Sequence, residues 1–447
     1  MDWEYWDKMY RLTLKNKRRS KDSVLFEMHY EYKLYCLYND IFNHTFESSA
    51  YTFMVPYPQP REVFACIMEQ RILDHTIANK MNDIIEENLT KKTFNNRIGY
   101  GGIAAVNQLA TDIYEMSNGF KEDAWIIKLD LKGYFPNALQ DVVFKQLSDL
   151  LENNYYGNDK DMLRYILMRS IYTYPTDHCV RKSPLIDWED YPREKSLFTK
   201  PDGVGGIIGR LLWQIAMTLY LNDIDQFFVN QVNNNELRYV RFVDDMCFVV
   251  KDKAYGLSLI PHLRSMLSEK GCALHPKKFY CQHYSKGVKF LGTTIKMDRM
   301  YVNNRVVRNA KKKLMEFNRK VRVGDIESFI SSMNSYLGIM KSHRAHNIIT
   351  ELIEMVNPKW WKYCHFNSKR VCIQANRGYT HIELLCRKYG FTANQLKINK
   401  KKKNGNKRKN RKPGSGKTCS KSSNGIQRWT GFKMCKIGDK LSGNLSR

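Results

Sequence analysis

Two adjacent aspartates interrupt an apolar stretch of the chain, and this pattern constrains the fold more than any other feature. The stretch is RYVRFVDDMCFVV, residues 238–250, with Asp244 and Asp245 at its centre. Short apolar runs rich in β-branched and aromatic residues predict buried strands, here two strands joined at the aspartates. Neighbouring carboxylates repel each other, and burial adds to the cost. The stretch therefore indicates either a hairpin tip solvated by water or a bound divalent cation, for which carboxylates are common ligands.

A second apolar run, IIKLDLKGYFPN, places another carboxylate, Asp130, just before Gly133. Alone, Asp130 could simply cap a strand. Together with Asp244 and Asp245, it fits a two-metal site for phosphoryl transfer, in which carboxylates from separate strands converge on two ions. We therefore expect two Mg²⁺ ions, with Mn²⁺ as the alternative, to activate a 3′-hydroxyl and to stabilise a leaving pyrophosphate.

The charge balance points to a polyanionic partner. The 447 residues include 73 Lys and Arg against 45 Asp and Glu, a formal net charge of +28. Such an excess favours nucleic acid or an anionic membrane surface as the partner.

No run of 18 apolar residues and no secretory signal pattern occurs, so we expect no membrane association. The 11 cysteines include no C-x-x-C pair, which is typical of a reduced, cytoplasmic protein.

Strand and helix patterns mix without regular alternation, which predicts an α+β fold around an antiparallel sheet. Spacing near 3.6 predicts one or two helices over residues 61–93, and a long apolar helix is expected over residues 206–228. Strands are expected at 238–250, 273–281 and 287–296, followed by basic helices over 305–356.

Residues 397–417 contain eleven Lys and Arg and no acidic residue. Such a block cannot build a core and is either a solvated disordered tail or an arm that binds phosphates. The candidate nucleic-acid-binding residues of this arm are Lys400, Lys401, Lys402, Lys403, Lys407, Arg408, Lys409, Arg411 and Lys412.

Several motifs occur in an order that is typical of one polymerase family. They are the strand aspartate with LKGYFPN, a glycine-rich helix start, FVDD, LHPKKF and VKFLG. In this order they resemble the motif series of reverse transcriptases. REVFACIMEQRILDH and NNRIGYGGIAAVNQL resemble the fingers motifs of the bacterial branch, and the resemblance extends from about residue 61 to 350. Within that branch, it points to the diversity-generating retroelement and defence-associated enzymes.

The resemblance implies a right-hand polymerase fold of the α+β class, with fingers, an antiparallel-sheet palm and a helical thumb. It divides the chain into an N-terminal extension (1–60), fingers (61–125), palm (126–300, with a fingers insertion at about 139–200), thumb (301–360) and a basic C-terminal extension (361–447). The last segment is the RNA-binding candidate.

The resemblance also implies roles for residues around the carboxylates. Asp130, Asp244 and Asp245 would hold the two ions, and Leu131 would offer its backbone carbonyl. Phe135 takes the place of the aromatic steric gate, a ring that clashes with a 2′-hydroxyl and so favours dNTPs.

Further matches concern the nucleotide and the primer. Lys278 matches the motif lysine, a candidate general acid for pyrophosphate, with Lys277 as the neighbouring alternative. Arg97 matches a fingers residue that grips the triphosphate, for which a guanidinium is suited. The template–nucleotide contact corresponds to Gly209 and Gln214, and the primer grip to Phe290, Leu291 and Gly292.

The chain departs from the family pattern around the template. Phe242 stands where the family usually has Tyr, and Ile207 and Ile208 replace a proline and a glutamine. Trp213 replaces a serine before Gln214. An apolar residue at the position of Ile208 also occurs in the diversity-generating group. There it is linked to low fidelity in copying the template.

The expected function is therefore RNA-directed DNA synthesis, a nucleotidyltransferase reaction that adds dNTPs to a 3′-hydroxyl. Nothing resembles an RNase H, integrase or endonuclease domain, so a dedicated non-coding RNA template in bacterial antiviral defence is expected. The alternatives are a diversity-generating or other retroelement enzyme, template-independent or protein-templated and protein-primed DNA synthesis, and a catalytically silent nucleic-acid-binding scaffold. The expected partners are a structured RNA, the DNA product, dNTPs, and an accessory protein or further copies of the chain.

Overall fold

The N-terminal part of the chain is helical and leads into a small sheet. It comprises α1 (Trp3–Thr13), α2 (Lys21–Glu27), α3 (Tyr30–Phe42), β1 (Ala50–Val55), β2 (Arg61–Cys66) and α4 (Met68–Asn88). The computed structural model describes residues 1–15, 21–56, 59–177, 179–231, 235–343, 345–380 and 383–384. Within this part of the chain, α1 packs against α4, and β1 pairs antiparallel with β2.

The prediction of helix from residue 61 is wrong for the first six residues. They form β2, in which Phe64 and Cys66 are buried on one face while their neighbours are more exposed. A short apolar run fits both the helical and the strand periodicity, so its sequence alone does not distinguish them. Pairing with β1 makes this segment a strand. The predicted helix is confirmed from residue 68 onward, where Ile72, Ile77 and Met81 of α4 are buried. The predicted domain boundary after residue 60 also falls inside this hairpin.

The middle of the chain contains helices, the strands of the central sheet, and a further strand of the N-terminal sheet. Its elements are α5 (Gly102–Met116), β3 (Trp125–Lys132), α6 (Gln140–Asn154), α7 (Lys160–Ile171), β4 (Cys179–Arg181), α8 (Leu211–Leu219), α9 (Asn222–Gln226), β5 (Leu237–Phe242), β6 (Asp245–Val250), α10 (Lys253–Ser268), β7 (Ala273–Leu274) and β8 (Tyr280–His283). Of these, β4 pairs parallel with β1 of the N-terminal sheet. The predicted long helix is divided between α8 and α9, which continues into a π-helical turn over Phe227–Gln231.

The central sheet carries the aspartates, and its antiparallel strands confirm the predicted α+β class. The strand order is β5-β6-β3-β7, and β8 also pairs with β3. Both faces of the sheet are covered, so its strands are apolar on both sides. Ile126 of β3 lies in the core beneath α5, whereas Ile127 and Leu129 pack in the main core, which includes α8 and α10.

The C-terminal part has a core of its own. Its elements are β9 (Val288–Phe290), β10 (Thr293–Ile295), β11 (Met300–Val302), α11 (Asn304–Arg319), α12 (Ile326–Ser342), α13 (His346–Glu354), β12 (Cys364–Asn367) and β13 (Cys372–Ala375). Phe329 stacks on Trp360 at a ring-centroid distance of 4.3 Å within this core. The strand predicted over 287–296 is a hairpin, because Leu291 and Gly292 both adopt positive φ and reverse the chain. Among the described residues, no helix is both long enough and apolar enough to cross a bilayer.

A buried ion pair ties the edge strand β5 to α9. Arg241 and Asp225 are both fully buried, and Nη2 of the arginine lies 2.5 Å from Oδ2 of the aspartate. Tyr239 and Thr93 donate further hydrogen bonds to the same carboxylate, at 2.7 and 2.8 Å. The carboxylate is thus well satisfied, which is the condition under which a buried ion pair is tolerated.

We predict that Asp225→Ala destabilises the fold by about 3–5 kcal/mol, because it leaves the Arg241 charge buried without its partner. The measurement is urea-induced unfolding of the purified variant. The control is Asp149→Ala, which breaks the exposed Lys145–Asp149 pair and should change stability little. Equal effects of the two substitutions would contradict the assigned importance of the buried pair.

Candidate active site

The hairpin between β5 and β6 presents the aspartate pair in a two-residue turn. Phe242 pairs with Asp245, so Val243 and Asp244 form the loop. Val243 has φ 57°, and Asp244 does not have a positive φ, which is the pattern of a type II′ turn. Such a turn normally has glycine at its first position, and a β-branched residue there is strained.

Segment 92–95 lies beside β5 and brings an asparagine to the turn. The Arg241 amide donates to the Lys92 carbonyl, and the Phe94 amide donates to the Arg241 carbonyl, at 2.9 and 3.0 Å. Asn95 then reaches the tip, where its Oδ1 accepts a 3.1 Å hydrogen bond from the Val243 amide. On the other side, the Leu131 amide donates to the Asp244 carbonyl at 3.3 Å, which links β3 to the turn.

The structure brings the three predicted carboxylates together. Asp130 and Asp245 are directly opposed in the register of β3 and β6, and Asp244 is adjacent in the turn. Burial, and to a lesser extent the charges of Asp245 and Asp130, together raise the pKa of Asp244 to about 6. The tip therefore has an excess of negative charge in a partly desolvated place.

Two lysines partly balance this charge. Nζ of Lys278 donates to both carboxylate oxygens of Asp130, at 2.8 and 3.0 Å. Nζ of Lys128 lies 2.9 Å from Oδ1 of Asp245. Burial alone would lower the pKa of Lys128, but Asp245 outweighs it and raises that pKa above the ordinary value. Sequence analysis missed Lys128, although its position two residues before Asp130 in a strand places both side chains on one face.

The carboxylates fit a hard divalent cation by chemistry, but their present contacts are with lysines. Within the described part of the chain, no group of three or more His, Cys, Asp and Glu side chains is arranged to hold a metal ion. Two of the three carboxylates are already bound to ammonium groups. Asp244 forms no ion pair with the residues described, and its pKa is raised by burial first and by the charges of Asp245 and Asp130 second. An all-oxygen cluster with unmet negative charge is the donor set that Mg²⁺ and Mn²⁺ prefer.

A basic cleft of about 1100 Å³ opens beside Asp245. The predicted primer-grip residues Phe290, Leu291 and Gly292 line it, and Nζ of Lys128 lies 5.6 Å from the Phe290 ring centroid. Its basic lining residues are Arg61, Lys128, Lys289, Arg305, Arg308 and Lys311. Of these six, Lys128 forms the ion pair with Asp245 described above. Apart from Lys289, which belongs to the primer-grip motif KFLG, sequence analysis assigned no role to these residues, because they become one surface only when β2, β3, β9 and α11 meet.

The other predicted residues lie around the same region. Phe135 is half-buried, with its ring against Tyr134 and its carbonyl accepting a 2.7 Å hydrogen bond from the Gly206 amide. Gly209 has φ 113°, and a Cβ there would lie 3.0 Å from the Phe64 carbonyl oxygen, so glycine allows β2 to approach closely. Gln214 has an exposed side chain, and its carbonyl accepts a 2.9 Å hydrogen bond from Asn96.

Arg97 is occupied by contacts within the protein. Its Nε lies 2.8 Å from Glu86, and its Nη1 donates to the carbonyls of Thr90 and Thr93. The guanidinium also packs 4.0 Å from the Tyr100 ring centroid, and only 5% of the side chain is exposed. The structure therefore shows Arg97 engaged within the protein, and its grip on a triphosphate stays a prediction. The structure gives Arg97 the role of holding the loop after α4, whereas the exposed Arg61 lines the cleft.

The predicted basic arm cannot be located in the same way. Lys400, Lys401, Lys402, Lys403, Lys407, Arg408, Lys409, Arg411 and Lys412 lie outside the described residues.

The chain matches the family model of reverse transcriptase (RNA-dependent DNA polymerase) over residues 61–295, more than half of its length. It therefore belongs to the reverse transcriptase family, whose model is described as that of RNA-dependent DNA polymerases. The match confirms the right-hand polymerase fold expected from the motifs. Polymerases of this family generally use divalent metal ions. No curated protein matches the chain significantly.

Among solved structures, the chain is similar to two yeast telomerases. Apo telomerase from Candida tropicalis is 12% identical with a TM-score of 0.43, and the match covers 69% of this chain and 62% of that one. Telomerase from Candida albicans in complex with a TWJ fragment of telomeric RNA is 13% identical with a TM-score of 0.43, over 78% of this chain and 61% of that one. The chain thus spans less than two thirds of either telomerase chain, and likeness this distant assigns no role to any residue here.

We predict that Asp244→Asn stabilises the metal-free protein at pH 8. The pKa of Asp244 is raised in the folded state, so ionisation penalises folding increasingly as the pH rises above about 4, and the penalty is complete above about 6. The amide removes this penalty, a gain of about 1–3 kcal/mol that should vanish as the pH falls below 4. Urea unfolding in EDTA at both pH values measures it. A gain that does not depend on pH would contradict the assigned charge repulsion.

Proposed function

We propose that the protein is a polymerase that copies RNA into DNA by adding dNTPs to a primer 3′-hydroxyl. The observation that carries this proposal is the convergence of three carboxylates on one hairpin tip at the edge of a basic cleft. Family membership supplies the reaction class, and the cleft supplies a surface with the charge that a nucleic-acid backbone requires.

The three carboxylates are proposed to hold two Mg²⁺ ions, or Mn²⁺ in their place, with the Leu131 carbonyl as a further ligand. When bound, the ions lower the pKa of the attacking hydroxyl and neutralise charge on the leaving pyrophosphate. Lys278 is the proposed proton donor to pyrophosphate, because its ammonium group already lies at Asp130 and is half exposed. Lys128 holds the Asp245 carboxylate in place while the site is empty of substrate.

The surrounding residues are proposed to orient the substrates. The cleft between Arg61 and α11 accepts the primer–template duplex, and Phe290, Leu291 and Gly292 support the primer end. Phe135 excludes a ribose 2′-hydroxyl, and Gly209 and Gln214 contact the template and nucleotide. In this assignment, the central sheet is the palm, the sheet of β1 and β2 belongs to the fingers, and α11–α13 form the thumb.

The biological setting is proposed from the motif resemblance and the charge. We infer a cytoplasmic enzyme of the bacterial branch that uses a dedicated structured non-coding RNA in antiviral defence. The net charge of +28 and the basic segment 397–417 support a resident RNA partner. A retroelement role, template-independent or protein-primed synthesis, and a silent scaffold are the alternatives, and an accessory protein or further copies of the chain are the remaining candidate partners.

The reaction is tested with purified protein, a primed RNA template and dNTPs. We expect Mg²⁺-dependent primer extension, and a loss of at least about a hundredfold in the Asp244→Ala, Asp245→Ala double variant, because metal-assisted stabilisation is worth several kcal/mol. The control is Asp123→Ala, which removes an aspartate whose side chain is 86% exposed and lies 3.2 Å from Nε2 of His283. Equal extension by the wild type and the double variant would contradict the proposal.

The template is tested by sequencing the nucleic acids that co-purify with the protein from its native host, in the wild type and the double variant. One abundant structured RNA, with complementary DNA only in the wild type, is the expected result. DNA without a complement in the bound RNA would favour protein-directed synthesis. RNA without DNA in both samples, with biological activity unchanged, would favour the scaffold.

A further inference from the structure

The turn that carries the aspartates is strained and cannot hold its shape by local preference. Val243 adopts φ 57° at a position where glycine is normal and a β-branched residue is an outlier. Strain of this kind persists only where the surroundings over-determine the conformation. The contacts that impose the conformation are therefore part of the site, even if they touch no substrate.

Two buried side chains bind the two backbone polar groups of Val243. Oδ1 of Asn95 accepts from the Val243 amide at 3.1 Å, and Nη1 of Arg241 donates to the Val243 carbonyl at 3.0 Å. Asn95 is 2% exposed and Arg241 is fully buried. Neither side chain belongs to the predicted set of catalytic or nucleotide-binding residues.

Both side chains are anchored to the same residue of α8. Nδ2 of Asn95 donates to Oγ1 of Thr218 at 2.6 Å, and Nη2 of Arg241 donates to the Thr218 carbonyl at 2.7 Å. Thr218 Oγ1 in turn donates to the Gln214 carbonyl at 2.9 Å. The turn is thus fixed from both sides to the helix that carries the proposed template-side glutamine.

We propose that Asn95 and Arg241 are positioning residues that clamp Val243 in its strained conformation and thereby aim Asp244 and Asp245 at the metal ions. The catalytic consequence rests on the proposed polymerase function, whereas the effect on metal binding does not. Residues that orient ligands in this way typically contribute a factor of about 10–100 to metal affinity or activity.

The test uses Asn95→Ala, because removing Arg241 would leave Asp225 buried without its partner and risk the fold. The matched control is Asn96→Gly, which removes the neighbouring amide from α8, keeps the positive φ of that position, and leaves the turn contacts intact. Mn²⁺ binding to the nucleotide-free protein is measured by electron paramagnetic resonance of the free ion. Primer extension gives kcat and the KM for dNTP, and urea unfolding reports stability.

The clamp predicts that Asn95→Ala weakens Mn²⁺ binding and lowers kcat, each by about 10–100-fold, with KM changed little. The Asn96→Gly control should have an Mn²⁺ affinity and a kcat near those of the wild type. The two variants should have similar free energies of unfolding. A variant that binds Mn²⁺ and turns over like the control would overturn the proposal, as would a wild type that binds no Mn²⁺ at all.

A second substitution distinguishes the loss of the clamp on a strained turn from a general loss of structure. Glycine adopts positive φ without strain, so Val243→Gly should make the clamp less necessary. The loss of Mn²⁺ affinity caused by Asn95→Ala should therefore be smaller in the Val243→Gly background than in the wild type. An equal loss in both backgrounds would overturn the proposal. If the wild type extends no primer, the polymerase function fails, but the Mn²⁺ comparison still decides whether the clamp exists.

Discussion

Mutual repulsion among three carboxylates is the constraint on which the rest of the site depends. Asp130, Asp244 and Asp245 meet where two strands and a turn converge, and burial raises the pKa of Asp244 to about 6. A fold selected only for stability would not place these groups together, because unpaired charge is costly in a desolvated place. Lys128 and Lys278 balance two of the charges, and Asp244 forms no ion pair with the residues that the structure describes. The unbalanced charge costs stability, a compromise that is common where function competes with stability.

Polar contacts buried behind the turn supply the rigidity that this arrangement needs. Arg241 joins Asp225 of α9, Thr218 of α8 and the carbonyl of Val243 in one network. A second buried pair, Arg210 and Asp74, joins the start of α8 to α4. Fully satisfied networks of this kind rigidify a core and specify a unique arrangement. Helix α8 therefore serves as the common frame for the turn, the loop at Asn95 and helix α4.

Local sequence patterns were sufficient to locate the carboxylates but not their support. The strand aspartate and the FVDD hairpin could be predicted because alternation, apolar runs and repelling charges are all visible within a dozen residues.

The strand β2 was missed because its partner β1, and not its own composition, decides between helix and strand. Lys128 could have been found from the strand period alone, since it lies two residues before Asp130. For Arg97, the motif match predicts a contact with the triphosphate, but its contacts with Glu86 and two carbonyls are visible only in the folded loop after α4. The bond between Asn95 and Val243 joins residues 148 positions apart, a separation that no local pattern reports.

The central claim is that the carboxylate cluster exchanges its lysine partners for divalent metal. The most direct measurement is a crystal structure with Mn²⁺ and a primer–template, in which anomalous scattering locates the ions. The account predicts anomalous peaks bounded by Asp130, Asp244 and Asp245, with the ammonium groups of Lys128 and Lys278 displaced from the carboxylates that they now contact. Lysines still paired as they are here, with no anomalous signal between the three aspartates, would contradict it.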